Sequence, residues 1–142
     1  MGASRHIAIL GSTGSVGVNT LDVVARHPGR FKIIALTAYR QIDALFRQCI
    51  QFHPQYAVVG DAGSAEQLST RLRAAGSTTE VSYGEQALEQ VAALPQVDTV
   101  MAAIVGIAGL RATFAAVQAG KRVLLANKEA LVTAGPVFMS AV

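Results

Sequence analysis

Residues 7–17 read IAILGSTGSVG, an apolar run that stops at three glycines spaced three residues apart. An amphipathic stretch begins within the glycines, so a strand, a tight turn and a helix are predicted in that order. Gly11 would turn the chain off the strand, Gly14 would leave room for a ligand close to the backbone, and Gly17 would let the helix pack on the sheet. The N–H groups of a first helical turn bind phosphate readily, since they have no partner within the helix. The segment therefore indicates a dinucleotide-phosphate site, although the spacing departs by one residue from the usual G-x-G-x-x-G; the alternative is a plain turn that needs glycine.

The rest of the chain alternates short apolar runs with amphipathic stretches, which predicts a parallel sheet. We expect an α/β, Rossmann-like, doubly wound fold with a mainly parallel sheet and helices on both faces. Ligands of such sheets bind at the carboxyl ends of the strands. The predicted strands are residues 6–10, 31–38, 56–60, 80–83, 97–104 and 122–126; the predicted helices are residues 15–26, 43–52, 62–75, 84–94 and 110–119, with a further helix starting near Glu129.

The composition fits one domain with an apolar core, because 51% of the 142 residues are hydrophobic and only 15% are charged. The net charge of +3 comes from scattered Lys and Arg residues, which predicts neither a nucleic-acid nor a membrane partner. No secretion signal or membrane-spanning run is visible, so a soluble protein of the cytoplasm is expected.

The residues that usually carry chemistry by themselves are sparse. A single cysteine, Cys49, excludes a disulfide framework or a thiolate zinc site and is predicted to be a small core residue. His6, His27 and His53 lack the spacing of metal ligands, and no nucleophile–base pair is evident. The sequence therefore assigns neither a catalytic residue nor a metal ligand to this chain.

Two further strand ends carry polar residues. Tyr39-Arg40-Gln41 follows the second predicted strand, and residues 29–41 contain no acid to bind the ribose hydroxyls of NAD. The Arg40 guanidinium could instead bind a 2′-phosphate, which favours NADP; the alternative is a solvated loop charge. Asn127-Lys128-Glu129 follows the last predicted strand. A helix dipole alone would explain Glu129 but not the amide and the cation beside it.

Four stretches resemble the 1-deoxy-D-xylulose 5-phosphate reductoisomerase family in the same order and spacing. They are residues 11–17 (GSTGSVG), 20–24 (TLDVV), 101–110 (MAAIVGIAGL) and 124–132 (LLANKEALV). The resemblance runs from about His6 to Val142. It implies an NADPH-dependent enzyme that rearranges and reduces 1-deoxy-D-xylulose 5-phosphate to 2-C-methyl-D-erythritol 4-phosphate in the non-mevalonate route to isoprenoids.

The resemblance also implies a bacterial homodimer that uses Mg²⁺ or Mn²⁺ and acts on a phosphosugar. Residues 1–142 would be its N-terminal NADPH-binding domain, with the metal ligands beyond Val142, so that the chain alone is expected to be inactive. Carried over by position, the resemblance implies that the pyrophosphate side of NADPH binds Thr13, Gly14, Ser15 and Val16, and that its 2′-phosphate faces Tyr39, Arg40 and Gln41. Asn127 and Glu129 would also contact the cofactor, and the nicotinamide would lie near residues 102–106. Lys128 would reach the substrate.

Two departures and two alternatives accompany this resemblance. The family often has Gly-Lys-Asn at residues 39–41, and its LANKE motif is commonly followed by Ser or Thr, where this chain has Ala130. The cation of the first triplet is kept, so the preference for NADP should hold. The alternatives are another NADP-dependent domain, such as that of a semialdehyde dehydrogenase, which needs a downstream catalytic cysteine, and a nucleotide-sensing module, which has no need of Lys128.

Overall fold

The computed structural model describes residues 4–104, 107–126 and 131–133, and these form alternating strands and helices. The strands are β1 (Arg5–Leu10), β2 (Phe31–Thr37), β3 (Tyr56–Val59), β4 (Glu80–Tyr83), β5 (Thr99–Ala102), β6 (Arg122–Ala126) and β7 (Leu131–Thr133). The helices are α1 (Ser15–Arg26), α2 (Ile42–Phe52), α3 (Ala62–Ala74), α4 (Gly84–Ala92) and α5 (Ile107–Gln118).

The strands form one sheet in the order β4-β3-β2-β1-β5-β6-β7. The first six strands are parallel to one another, and β7 runs antiparallel to β6 at the edge. Strand β1 lies at the centre of the sheet. Strands β2, β3 and β4 follow on one side of it, and strands β5, β6 and β7 lie on the other side. This reversal creates a switch point at the carboxyl ends of β1 and β5, and it confirms the predicted doubly wound fold.

Each face of the sheet is covered by its own apolar core. Helices α1, α2 and α3 cover one face, where Leu21, Leu45 and Leu68 belong to the same buried cluster as Ile7 and Ile9 of β1. Helices α4 and α5 cover the other face. Because successive side chains of a strand point to opposite faces, a strand buried on both faces must be apolar at every position. This requirement explains the continuous apolar runs of the sequence.

The helix predicted to start near Glu129 is wrong, because residues 131–133 form strand β7. Leu131 pairs with Ala126, Val132 with Leu125 and Thr133 with Leu124. The apolar and helix-favouring residues around position 130 fit a helix by local preference, but the edge of β6 supplies hydrogen-bond partners to a short β-branched segment. Glu129 itself lies outside the described residues.

The boundaries around β5 also differ from the prediction. The strand is Thr99–Ala102 rather than residues 97–104, and α5 starts at Ile107, three residues before the predicted start. Gly109 disfavours a helix by propensity. Its lack of a side chain is nevertheless required within α5, because a Cβ there would lie 2.5 Å from the Ile104 carbonyl oxygen.

Within residues 4–104, 107–126 and 131–133, the helices are too short or too polar to cross a membrane.

Candidate functional site

The glycine turn joins the end of β1 to the start of α1 at the carboxyl edge of the sheet. Gly11 has a φ of +87°, a conformation that side chains strongly disfavour. A Cβ at this position would also lie 3.0 Å from Ile104 Cγ1 and 3.2 Å from the Ala103 carbonyl oxygen. A glycine is therefore needed at position 11 for two reasons, the backbone conformation of the turn and the close approach of the segment after β5.

The other two glycines of the turn have different roles. A Cβ on Gly14 would meet only the Gly11 carbonyl oxygen, at 3.9 Å, so this glycine faces open space. A Cβ on Gly17 would overlap the Gly11 carbonyl oxygen and lie 2.5 Å from Ser12 Cα. The predicted packing of Gly17 on the sheet is thus corrected: the glycine allows the first turn of α1 to pack on the loop that precedes it.

The N-terminus of α1 is left without a side-chain cap. Gly14 occupies the N-cap position, and the first turn, which the structure describes in full, contains no acidic residue. Val18 N–H donates to the Gly14 carbonyl oxygen at 2.9 Å, so the N–H groups of Ser15 and Val16 precede the hydrogen-bonded part of the helix. Such an end attracts anions through free N–H groups and the helix dipole.

Three side chains that sequence reasoning missed fasten this turn. Thr37 Oγ1 accepts from Gly11 N–H at 2.8 Å, and the Thr37 carbonyl oxygen accepts from Ser12 N–H at 2.8 Å. Ser12 Oγ donates to Gln48 Oε1 at 2.7 Å, and Gln48 Nε2 donates to the Ser12 carbonyl oxygen at 2.8 Å. Gln48 could have been found from its position, since it shares a helix face with the buried Leu45 and Cys49.

A cleft of about 620 Å³ opens beside the turn. Its apolar walls come from Val58 and Val59 of β3, from Leu88 of α4 and from Ile104. The volume lies in the range of small-molecule sites. Its lining residues are Gly11, Thr13, Thr37, Ala38, Tyr39, Val58, Val59, Gly60, Gly84, Glu85, Leu88 and Ile104.

The loop after β2 lies against this cleft with its polar residues exposed. Tyr39 lines the cleft, and Arg40 Cζ lies 5.3 Å from the centroid of the Tyr39 ring, a cation–π arrangement. Gln41 occupies the N-cap position of α2 without making a capping hydrogen bond. The structure therefore places Thr13 and Tyr39, two predicted site residues, on one cleft.

The carboxylate of Asp61, just after the end of β3, lies near this loop, which the sequence did not predict. Asp61 caps α3, where its Oδ1 accepts from Ser64 N–H at 2.8 Å. The hydrogen bonds from Ser64, assisted by the positive charge of Arg40, hold the pKa of Asp61 below its usual value. The negative charge of Asp61, which follows β3, thus partly offsets the positive charge of Arg40.

The third predicted strand end is described only in part. Strand β6 ends at Ala126, at the same edge of the sheet as β1. The predicted site residues Asn127, Lys128 and Glu129 lie outside the described residues, as do residues 105–106 near the predicted nicotinamide side.

Cys49 is a core residue, as predicted. It is fully buried against the sheet, and burial raises the pKa of its thiol to about 12. A catalytic cysteine reacts as the thiolate, which this environment disfavours. Cys49 therefore does not supply the nucleophile that a semialdehyde dehydrogenase would need. In the part of the chain that the structure describes, no three His, Cys, Asp or Glu residues are grouped to hold a metal ion.

Comparison with known proteins gives consistent matches. A family model described as 1-deoxy-D-xylulose 5-phosphate reductoisomerase matches residues 7–135. The chain is 64% identical to the reductoisomerase of Nitrosomonas europaea over 98% of its own length and 34% of that protein. It is 56% identical to the enzyme of Pseudomonas fluorescens over all of its length and 36% of that protein. The chain thus spans about a third of the curated relatives that it matches.

Solved structures agree with these matches. The Zymomonas mobilis reductoisomerase in complex with NADPH has a TM-score of 0.83 and 42% identity, over 97% of this chain and 36% of that one. A DOX-P reductoisomerase in complex with magnesium has a TM-score of 0.84 and 44% identity, over 89% of this chain and 31% of that one. On the match over residues 7–135 and these identities, the chain belongs to the 1-deoxy-D-xylulose 5-phosphate reductoisomerase family.

Proposed function

We propose that residues 1–142 are the NADPH-binding domain of an enzyme that rearranges and reduces 1-deoxy-D-xylulose 5-phosphate to 2-C-methyl-D-erythritol 4-phosphate. The observation that carries the proposal is the cleft shared by Thr13 of the glycine turn and Tyr39 of the loop after β2. Thr13 directly precedes the uncapped start of α1, and the exposed Arg40 directly follows Tyr39. These are the two kinds of group that recognise the pyrophosphate and the 2′-phosphate of NADPH.

Each site residue has a defined part in this proposal. Backbone N–H groups at Thr13, Gly14, Ser15 and Val16 bind the pyrophosphate, since the open space at Gly14 admits it close to the main chain. Arg40 donates paired N–H groups to the 2′-phosphate, flanked by Tyr39 and Gln41. Asn127 and Glu129 contact the cofactor and Lys128 contacts the phosphosugar, in a segment that follows β6.

The proposed enzyme also needs a divalent metal, Mg²⁺ or Mn²⁺, and one related structure contains magnesium. A bound metal would polarise the oxygens of the phosphosugar. The described residues do not offer a fitting set of ligands, so no step of the reaction is assigned to a metal held by them. We propose that the chain, which spans about a third of its curated relatives, binds NADPH without itself turning over the phosphosugar.

The proposed setting is the cytoplasm of a bacterium, with the whole enzyme a homodimer. The lysines and arginines are scattered along the sequence, which supports a small anionic ligand rather than a nucleic acid or a membrane surface.

Calorimetric titration of the chain with NADPH and with NADH tests the cofactor assignment. We expect NADPH to bind at least about tenfold more tightly, which corresponds to about 1.4 kcal/mol. Arg40→Ala should remove most of this preference, because the charged hydrogen bonds to the 2′-phosphate are lost. Arg30→Ala is the matched control, since Arg30 is also exposed but precedes β2, at the opposite end of that strand from Arg40.

The possible failures of this experiment are distinct. If the wild-type chain binds neither nucleotide, the proposed cofactor site is wrong. If it prefers NADPH and Arg40→Ala keeps the preference, the glycine turn is supported but the role of Arg40 is wrong.

A further inference from the structure

The ring of Tyr39 occupies the space that a side chain at position 60 would need. A Cβ on Gly60 would lie 2.5 Å from both Cδ1 and Cε1 of Tyr39 and 2.9 Å from its carbonyl oxygen. The same carbonyl oxygen accepts a 2.9 Å hydrogen bond from Gly60 N–H, which ties the end of β2 to the end of β3. The position of this ring therefore depends on the absence of a side chain at residue 60.

Core packing does not account for this arrangement. Tyr39 is 66% exposed, so its ring contributes little buried area to the fold. Both Tyr39 and Gly60 line the cleft beside the glycine turn. A large exposed aromatic ring, seated against a glycine at the edge of a ligand-sized cleft, fits a binding role better than a stabilising one.

The seated ring helps to hold Arg40. The guanidinium lies 5.3 Å from the ring centroid. An arginine restrained before binding loses less conformational freedom when it binds a phosphate group. The ring thus helps to restrain Arg40 for an anion at this edge of the sheet.

We propose that Gly60 is a specificity-determining residue, which selects the 2′-phosphate of NADPH by leaving room for the Tyr39 ring that positions Arg40. The inference rests on the proposed function, because it assumes that the cleft binds NADPH. Gly60 acts as a positioning residue through Tyr39 and makes no contact with the phosphate. An alanine at position 60 would displace the ring, which is free to swing into solvent.

The test compares the affinities of Gly60→Ala for NADPH and NADH by calorimetry. Affinity for NADPH should fall about tenfold, while affinity for NADH should stay within about twofold of the wild type. Gly63→Ala is the matched control, because a Cβ there makes only an ordinary contact of 3.5 Å with Asp61 Oδ1. This control should keep both affinities.

A double-mutant cycle tests whether Gly60 acts through the ring. Tyr39→Gly should reduce the preference for NADPH, and adding Gly60→Ala to it should reduce the preference much less than Gly60→Ala does in the wild type, since only the contact with the backbone carbonyl oxygen of residue 39 remains. Tyr39→Phe keeps the ring and should keep the preference. If Gly60→Ala does not fold, the contrast between Tyr39→Gly and Tyr39→Phe still decides the role of the ring.

The outcomes separate this inference from the function beneath it. A wild-type chain that does not prefer NADPH overturns both. A wild-type chain that prefers NADPH, together with a Gly60→Ala variant that keeps the preference or loses both affinities equally, overturns the role of Gly60 alone. Retention of the preference by Tyr39→Gly overturns it as well.

Discussion

At the scale of single residues, the glycine turn depends on polar side chains that hold its backbone in place. Gln48 makes two hydrogen bonds to Ser12, one through its amide oxygen and one through its amide nitrogen. Ser12 itself is fully buried. The amide therefore satisfies both a buried hydroxyl and a carbonyl oxygen, and it fixes the glycine turn from the side of α2.

Gln48→Leu should destabilise the chain by about 1–3 kcal/mol, because the Ser12 carbonyl oxygen loses the Gln48 donor and the buried Ser12 hydroxyl keeps only its 3.2 Å hydrogen bond to the Thr37 carbonyl oxygen. NADPH should also bind more weakly, since the turn is less well fixed. Urea unfolding and calorimetry measure the two effects. Gln51→Leu is the control, because Gln51 is exposed on the same helix. Equal stabilities of the two variants would contradict the role given to Gln48.

At the scale of an element, the start of α1 depends on Gly17. The obstacle to a side chain there is the backbone of Gly11 and Ser12, which cannot rotate away as a side chain could. Gly14, one turn earlier, faces open space and has an ordinary φ of −77°. Two glycines of one motif thus differ in purpose: one is needed to fold the turn, and the other leaves the site accessible.

Gly17→Ala should cost about 1–3 kcal/mol or more, as overpacking against rigid backbone does. Gly14→Ala should leave stability within about 0.5 kcal/mol of the wild type. It should still weaken the binding of NADPH, because its Cβ enters the space proposed for the pyrophosphate. Thermal unfolding and calorimetry on both variants measure this contrast. A Gly17→Ala chain as stable as the wild type would contradict the packing described for the turn.

The elements also show what a sequence can predict. Strand β1, the turn and α1 were predictable because the apolar run, the glycines and the helical spacing all act locally. Strand β7 was not, because its pairing with β6 is a tertiary contact that overrides local preference. The contacts of Tyr39 with Gly60 and of Ser12 with Gln48 were missed for the same reason, since each joins segments that only the fold brings together.

At the scale of the whole molecule, the cleft joins parts that belong to different layers. Its lining includes the turn before α1, the ends of β2 and β3, and Gly84 and Glu85 at the start of α4. Helices α1 and α4 cover opposite faces of the sheet. A ligand in the cleft would therefore contact both layers and stabilise the fold as a unit.

NADPH at about 100 times its dissociation constant should raise the free energy of unfolding by about 2.7 kcal/mol, because it binds the folded chain and not the unfolded one. NADH at the same concentration should raise it less. Thermal unfolding with each nucleotide measures the difference. An equal rise with NADPH and NADH would argue against selection of the 2′-phosphate.

The central position of β1 has a consequence for how the chain folds. One neighbour, β2, follows closely in the sequence, but the other is β5, and the hydrogen bond from His6 N–H to Asp98 spans 92 residues. At a synthesis rate of about 5–20 residues per second, about 5–20 s pass on the ribosome between the synthesis of β1 and that of β5. During this interval the edge of β1 that later pairs with β5 is apolar and unpaired. We therefore expect the nascent chain to be most prone to aggregation before residue 99 is synthesised.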